Sequence, residues 1–148
     1  MELSKELKGL KVALDTSVFI YFLEEHPDYL PLVRPVFLAA EQQHLTMCTS
    51  VITLHEVLVL PYRQRREDLI LAYENILENN EIAELIPIRA GLAKTAALLR
   101  SKYALRTPDA LQIAAGIVSK ADVFLTNDLR LKSVKELDVK VLADYLLN

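Results

Sequence analysis

The 148-residue sequence has few residues of several types, and each shortage excludes a class of protein. A single cysteine, Cys48, excludes an intrachain disulfide framework and a cysteine-rich zinc site. It lies in the apolar run 45–49, which favours a buried, unreactive thiol. The three histidines, His26, His44 and His55, have no metal-binding spacing, which argues against a histidine-based metal site.

Long apolar runs and an excess of positive charge are also missing. No stretch approaches the roughly 20 apolar residues that a membrane-spanning helix needs, and the charged N-terminus lacks the apolar core of a signal peptide. With 17 basic and 20 acidic residues the net charge is −3, which excludes a polycationic coat for nucleic acid but leaves local basic patches open. We therefore expect a cytoplasmic protein that has no membrane partner.

The residues that are present indicate one globular α/β domain over residues 1–148. Apolar residues make up 52% and charged residues 25%, with neither repeats nor Gly/Ser linkers. The predicted strands are 11–14, 45–49, 82–86, 123–126 and 139–142. The predicted helices are 18–23, 32–43, 51–60, 67–79, 91–103, 107–120 and a short one after Asp128. This alternation predicts a mostly parallel sheet of four to five strands with helices on both faces.

Caps and prolines predict several helix ends. Ser50 should cap a helix that ends near Pro61. Pro35 should be confined to the start of its helix, where a missing N–H costs least. Thr107 should cap the helix whose first turn contains Asp109, an acid that the helix dipole favours there.

Four acidic residues stand where a parallel sheet would gather them. Asp15 and Asp128 follow predicted strands, whereas Glu56 and Asp109 lie in apolar helical stretches. Singly, each has an ordinary explanation: Asp15 and Asp128 could cap helices, Asp109 could offset the dipole, and Glu56 could share a solvated stripe with His55. Together, all four can converge at the carboxyl edge of the sheet, where ligands collect.

Such a cluster has a chemical consequence. Grouped carboxylates repel one another unless they are protonated or bridged by a cation. Oxygen ligands without histidine or cysteine suit Mg²⁺ or Mn²⁺. An ion of this kind can lower the pKa of a bound water and neutralise a phosphoryl transition state.

Four blocks of the sequence resemble the PIN-domain nucleases, and most of all the compact VapC-like toxin ribonucleases. The blocks are 12–18, 50–56, 107–114 and 124–128; each contains one of the acids, and they follow the family's order over nearly the whole chain. The resemblance implies a single PIN-like domain with residues 1–10 as an N-terminal extension. That extension could alter dimer or partner contacts.

The resemblance also implies a site and a reaction. The implied catalytic and metal-binding residues are Asp15, Glu56, Asp109 and Asp128. The implied residues that orient water, metal or carboxylates are Thr16 or Ser17, and Thr126 or Asn127. The implied reaction is Mg²⁺- or Mn²⁺-assisted hydrolysis of an RNA phosphodiester, which leaves a 5′-phosphate and a 3′-hydroxyl.

A negative site that binds a negative substrate needs basic residues nearby. The candidate phosphate contacts are Arg63, Arg65, Arg66, Arg100, Lys102, Arg106, Arg130 and Lys132. We single out Arg106 and Arg130 as substrate-binding residues because they flank two of the acids. The basic run 63–66 could instead face a cognate antitoxin, the protein that typically neutralises toxins of this kind.

Two further expectations concern assembly and stability. Toxins of this kind commonly form two-fold homodimers, and the apolar helix face formed by Leu69, Tyr73, Ile76 and Leu77 predicts a surface covered by a second subunit or an antitoxin. Repulsion among the acids predicts that neutralising one of them, for instance Asp128→Asn, raises the melting temperature of the metal-free protein.

Three alternatives to a toxin ribonuclease differ in what they require. A HAD-like phosphatase needs a second acid two residues after the first, where this chain has Ser17. A catalytically inactive PIN-like module that binds RNA or protein predicts loss of the acids, and all four are present. A PIN nuclease that acts in RNA processing, outside toxin–antitoxin systems, would have the same residues.

Overall fold

The structure, a computed structural model, describes residues 2–79 and 81–146. The strands are β1 (Lys11–Leu14), β2 (Thr46–Ser50), β3 (Ala83–Ile86), β4 (Val123–Thr126) and β5 (Asp138–Val141). The helices are α1 (Glu2–Glu6), α2 (Thr16–Leu23), α3 (Leu30–Glu41), α4 (Val51–Arg63), α5 (Glu67–Glu78), α6 (Ala90–Lys102) and α7 (Thr107–Val118), with 3₁₀ helices at Leu129–Ser133 and Leu142–Tyr145. None of these helices has the length and hydropathy needed to span a bilayer.

The five strands form one sheet in the order β3-β2-β1-β4-β5, and every neighbouring pair is parallel. This confirms the predicted α/β fold. The chain moves outward from β1 through β2 to β3 and then crosses to the other side of β1 for β4 and β5. The direction therefore reverses between β1 and β4, and parallel sheets bind ligands beside the carboxyl ends of the strands at such a point.

Helices cover both faces of the sheet, as predicted. Side chains alternate along β1: Val12 and Leu14 pack with α1 to α5, whereas Ala13 packs with α6 and α7. Gly116 lets α7 approach the sheet closely, because a Cβ there would lie 3.1 Å from the Cβ of Ala13 and 2.9 Å from Cδ2 of Leu137. This contact sets the distance between β1 and the helix that begins beside the cleft described below.

Two prolines lie inside helices, contrary to prediction. The helix α4 continues through Pro61 to Arg63, which corrects the predicted end near residue 60. Pro61 lies in the last turn, where its missing N–H removes a single hydrogen bond, and its ring is buried. Pro35 lies inside α3 rather than at its start, because that helix begins at Leu30.

The predicted caps are half right. The Ser50 hydroxyl accepts a hydrogen bond from the backbone N–H of Ile52 at 3.1 Å and caps α4 as predicted. Thr107 is instead the first residue of α7, and Arg106 is the residue at the N-cap. The Thr107 hydroxyl accepts a hydrogen bond from the Arg100 guanidinium at 3.0 Å, and α7 has no side-chain cap.

Residues 2–10, which precede β1, contribute two leucines to the core. Residues 2–6 form α1, which packs against α3. Leu3 and Leu7 are fully buried in the larger hydrophobic cluster. That residues 1–10 are an N-terminal extension that alters dimer or partner contacts stays a prediction, although Leu3 and Leu7 are covered by the chain itself.

The apolar face of α5 is also covered within the chain. Tyr73 and Leu77 are fully buried, and Leu69 and Ile76 pack against the same cluster. The prediction that a second subunit or antitoxin covers this face is wrong, because the amphipathic pattern reflects packing on α4 and the neighbouring core. Cys48 is buried on the opposite face of the sheet, as predicted.

We expect Leu3→Ala to lower the free energy of unfolding by about 2–5 kcal/mol, because it leaves a cavity where a fully buried side chain was. Urea denaturation measures the change. The matched control is Leu71→Ala on α5, where the side chain is 57% exposed and the change should stay within about 0.5 kcal/mol. Equal losses in the two variants would show that α1 is not docked in solution.

Candidate functional site

A cleft of about 490 Å³ opens at the carboxyl ends of β1 and β4. All four predicted acids line it, together with all four predicted orienting residues and Arg106. The acids come from four elements of the fold: the residue after β1, the middle of α4, the first turn of α7 and the start of the first 3₁₀ helix. The structure thus brings together every residue on which the site prediction rests, except that Arg130 reaches the cleft through Asp128.

Asp15 directly follows β1, the central strand of the sheet. Its carboxylate caps α2 by accepting from the backbone N–H of Thr16 at 2.9 Å, and it also accepts from the Thr126 hydroxyl at 2.7 Å. Burial raises the pKa of Asp15 above its usual range; these hydrogen bonds oppose the rise, and the nearby charges of Asp109 and Glu56 add to it. Asp15 is therefore both a helix cap and a carboxylate held at an electrostatic cost.

Glu56 is half-buried and has a neutral partner. One of its oxygens accepts a hydrogen bond from the Thr16 hydroxyl at 2.6 Å. The neighbouring His55 is exposed, so the two do not share a solvated stripe. The hydrogen-bond partner of Glu56 is therefore a hydroxyl group of α2 rather than an Arg or Lys of its own helix.

Asp109 and Asp128 are each paired with an arginine. The Asp109 carboxylate accepts from Nε of Arg106 at 3.0 Å and from its Nη2 at 3.3 Å. Asp128 caps the 3₁₀ helix by accepting from the backbone N–H of Arg130 at 3.0 Å, and it accepts from that guanidinium at 3.0 and 2.7 Å. The two arginine side chains are 65% and 74% exposed, so both ion pairs lie at the mouth of the cleft.

This pairing changes the expectation for Asp128. The hydrogen bond from Arg130 holds the pKa of Asp128 below its usual range, and burial opposes this only in part. The charged form is therefore stabilised, and Asp128→Asn would remove an attraction rather than a repulsion. The acid whose neutralisation should relieve repulsion is Asp15.

The predicted orienting residues differ in what they contact. Thr126 links two acids, because its hydroxyl donates to Asp15 and accepts from the backbone N–H of Asp128 at 3.1 Å. The Ser17 hydroxyl is buried and has no hydrogen-bond partner among the described residues. A buried hydroxyl in a cleft of this size can be satisfied by water.

Asn127 contacts neighbouring elements rather than an acid. Its amide nitrogen donates to the Tyr21 hydroxyl at 3.1 Å, and its amide oxygen accepts from the backbone N–H of Ala143 at 3.0 Å. It therefore ties α2 to the C-terminal 3₁₀ helix. Its contacts are those of a residue that supports the rim of the cleft.

Sequence reasoning missed the buried polar side chains behind the acids. The amide of Gln112 contacts the hydroxyls of Thr16, Thr53 and Ser50 at 3.0, 2.7 and 2.5 Å. It also approaches a carboxylate oxygen of Asp15 at 3.5 Å. The signal in the sequence was a single amide in the apolar stretch that follows Asp109, at a position where an apolar side chain would complete the buried face of α7.

Three of the other basic candidates form ion pairs away from the cleft. Arg66 pairs with Asp68 at 2.8 Å, and Lys102 pairs with Glu136 at 2.9 Å. Lys132 forms an ion pair with Asp144. Among the described residues that line the cleft, Arg106 is the basic one.

As they stand, the described residues contain no group of three or more His, Cys, Asp or Glu side chains placed to hold one ion. Arg106 and Arg130 engage two of the four carboxylates in ion pairs. The donors themselves are all carboxylate oxygens, which are ligands that Mg²⁺ and Mn²⁺ prefer.

Comparisons with known proteins agree with this architecture. The family model for the PIN domain matches residues 12–137. The search of curated proteins found no match.

Three solved structures have a similar fold. VapBC2 from Rickettsia felis, bound to a DNA fragment from its promoter, has a TM-score of 0.70 at 20% identity, over 89% of this chain and 98% of that chain. A toxin–antitoxin complex from Klebsiella pneumoniae has a TM-score of 0.64 at 20% identity, over 89% and 97%. DNA-bound VapBC from Salmonella typhimurium has a TM-score of 0.63 at 22% identity, over 90% and 98%.

We expect Asp15→Asn to stabilise the metal-free protein at pH 7 by about 1 kcal/mol. Because folding raises the pKa of Asp15, ionising this group costs stability, and the cost develops as the pH rises above the unfolded value of about 4. The advantage of the variant should therefore shrink as the pH falls. Asp128→Asn is the contrasting variant and should lower stability.

Thermal melts in EDTA between pH 4 and pH 7 measure both variants. An equal shift of the two melting temperatures in the same direction would contradict the different environments that we assign to Asp15 and Asp128.

Proposed function

We propose a function on one premise: the chain belongs to the PIN-domain family. The proposed function is hydrolysis of RNA phosphodiester bonds by an endoribonuclease that depends on Mg²⁺ or Mn²⁺. The observation that carries it is the convergence of four carboxylates from four elements on one cleft at the carboxyl edge of the sheet. Carboxylates grouped in this way favour a cation among them.

The donor set fits a hard divalent cation in its chemistry. Asp15, Glu56, Asp109 and Asp128 would hold the ion, the last two after release from their arginines. When bound, the ion would lower the pKa of a water ligand and neutralise charge that develops on the phosphate.

The chain's own hydroxyl groups orient the two carboxylates that have no cationic partner. Thr126 donates to Asp15 at 2.7 Å, and Thr16 donates to Glu56 at 2.6 Å. Each contact engages one carboxylate oxygen and restricts rotation of the group, which supports a role in presenting the acids to a ligand. The buried Ser17 hydroxyl adds a polar group for water in the cleft.

Arg106 and Arg130 are the proposed phosphate-binding residues. A guanidinium group can pair with two phosphate oxygens at once, and both side chains lie at the mouth of the cleft. The guanidinium groups are exposed, whereas the side chains of Asp109 and Asp128 are only 12% and 24% exposed. Exchange of these acids for RNA phosphates would therefore leave two mostly buried carboxylates without a partner, and under this proposal the cation takes that place.

The purified protein should cleave single-stranded RNA in Mg²⁺ or Mn²⁺ and stop in EDTA. Asp15→Asn and Asp109→Asn should each lower the rate by at least about 100-fold, since each removes a charged ligand of the cation that would stabilise the transition state. The control is Asp122→Asn at the other end of β4, where the carboxylate accepts from the backbone N–H of Lys11. Gel or fluorescence assays on folded variants measure the rates.

The outcomes separate the alternatives. Undiminished cleavage by both site variants, or by the wild type in EDTA, would rule out the proposed metal site. A folded wild type that binds RNA but cleaves none under any metal would favour the inactive RNA-binding module.

Replacing an arginine should affect cation and RNA binding in opposite directions. Arg106→Gln and Arg130→Gln should raise Mn²⁺ affinity of the RNA-free protein by up to about fivefold, since the ion then competes with one ion pair fewer. The same variants should bind a hydrolysis-resistant RNA more weakly, with the salt slope reduced by about 1. The matched control is Arg66→Gln, because Arg66 forms a similar exposed pair with Asp68.

Titration calorimetry with Mn²⁺ and RNA binding at several salt concentrations measure both effects. Weaker Mn²⁺ binding in the two variants would show that these arginines do not compete with the cation.

We also propose that the chain is the toxin of a cytoplasmic toxin–antitoxin pair, with a cognate antitoxin as its partner. The support is that three similar structures are VapBC or toxin–antitoxin complexes, with 97–98% of each matched chain covered. Induced expression should arrest growth, and co-expression of an adjacent gene's product should restore it. Cleavage of RNA without growth arrest would favour the alternative role in RNA processing.

A homodimer is the proposed assembly. Exposed apolar side chains at the end of α4, namely Val59, Leu60 and Tyr62, are 41–57% exposed and offer a surface to cover. Light scattering at micromolar concentration should give twice the chain mass of 16.7 kDa. A monomer across that range would exclude the dimer.

A further inference from the structure

A chain of buried polar side chains lies directly behind the cleft. Gln112 is 3% exposed, and its neighbours Thr49, Ser50, Thr53 and Thr16 are 3%, 0%, 0% and 9% exposed. These residues come from the end of β2 and from α2, α4 and α7, at a place where the rest of the core is apolar. Buried polar groups lower stability unless every one is paired, so each of these side chains needs a hydrogen-bond partner.

Within this set of buried side chains, each hydrogen bond has a definite donor and acceptor. The Thr49 hydroxyl donates to the carbonyl oxygen of Leu14 at 2.8 Å, so it must accept from Thr53 at 2.7 Å. Thr53 has then used its only proton, and it accepts from the amide nitrogen of Gln112 at 2.7 Å. A hydroxyl has one proton to donate, which makes each step dictate the next.

The second N–H of the Gln112 amide continues the chain to the acids. It faces the Thr16 oxygen at 3.0 Å, which leaves the Thr16 proton for Glu56 at 2.6 Å. The Gln112 amide oxygen accepts from the Ser50 hydroxyl at 2.5 Å. The Thr16 oxygen also lies 3.3 Å from the Thr53 oxygen, a longer contact than the one to Glu56. With the amide reversed, its oxygen would face Thr16 and compete with Glu56 for the Thr16 proton. The orientation in the structure leaves that proton for Glu56.

We propose that Gln112 is a positioning residue of this site: its amide commits the Thr16 hydroxyl to Glu56 and fixes the distance between α7, which also contains Asp109, and the starts of α2 and α4. The inference rests on the proposed function. Gln112 touches neither substrate nor metal in this scheme and acts through Thr16, supported by Thr53.

Two variants test whether the Gln112 amide commits the Thr16 proton to Glu56. Gln112→Glu preserves the shape but replaces the two N–H donors by an oxygen, which draws the Thr16 proton away from Glu56. Thr16→Val removes the proton altogether. Each should weaken Mn²⁺ binding by about 10-fold or more and lower kcat for RNA cleavage, with KM for RNA little changed, since residues that orient metal ligands have effects of this size.

The controls separate positioning from folding. Thr49→Val removes a buried hydroxyl at the far end of the same hydrogen-bonded set and should lose stability comparable to Thr16→Val. Ser50 still donates to the Gln112 oxygen in this variant and holds the amide in its orientation, so Mn²⁺ affinity should stay within about threefold of the wild type. Thr16→Ser retains the donor and should restore affinity. The double variant of Gln112→Glu with Thr16→Val should be no weaker than either single variant, because both act on one hydrogen bond.

Calorimetric Mn²⁺ titration, steady-state kinetics and melting temperatures of the six proteins decide the matter. Equal loss of Mn²⁺ affinity in Thr49→Val and Thr16→Val would overturn the inference, because the buried hydrogen bonds would then contribute only to folding. An unaffected Gln112→Glu variant, beside a wild type that binds Mn²⁺ and cleaves RNA, would overturn the inference and leave the proposed function standing. A wild type that does neither would overturn both.

Discussion

Repulsion among four carboxylates at one edge of a parallel sheet is the constraint on which the rest of the site depends. The structure offsets it in two ways. Asp15 and Glu56 accept hydrogen bonds from neutral hydroxyl and backbone groups. Asp109 and Asp128 accept from the guanidinium groups of exposed arginines. Neutral donors orient a carboxylate without cancelling its charge, whereas an arginine cancels the charge for as long as it stays.

This division gives the cleft a net charge that depends on its ligands. With all four acids ionised, two arginines leave a charge of −2, which one divalent cation would neutralise. Under the proposed function, RNA phosphates that bind the two arginines leave Asp109 and Asp128 without a partner. The carboxylates of the cleft then attract cations more strongly. Linkage requires the converse as well: a cation that displaces the arginines frees them for phosphate. The two guanidinium groups are exposed and are therefore accessible to phosphate.

Much of this arrangement could be predicted from the sequence, because it follows from strand ends. Asp15 and Asp128 directly follow apolar strands, and parallel strands bring such positions to one edge. Arg106 and Arg130 were predicted from their spacing to Asp109 and Asp128, and side chains two or three residues apart at a helix start can reach each other. The spacing did not indicate that these arginines would neutralise the acids. Because Arg130 pairs with Asp128, we expect Asp128→Asn to lower stability rather than raise it.

The failures share a physical cause, which is that tertiary contacts decided what local pattern left open. An apolar face on α5 predicts burial but not by what, and here α4 and the core cover it. Leu3 and Leu7 are too few to form a recognisable periodic pattern, so the docking of α1 was invisible. Gln112 was missed because one amide in an apolar helix resembles an interruption of the pattern. Its position three residues after Asp109 places both side chains toward the same end of the sheet, so the interruption on α7 lies where the acids need a buried donor.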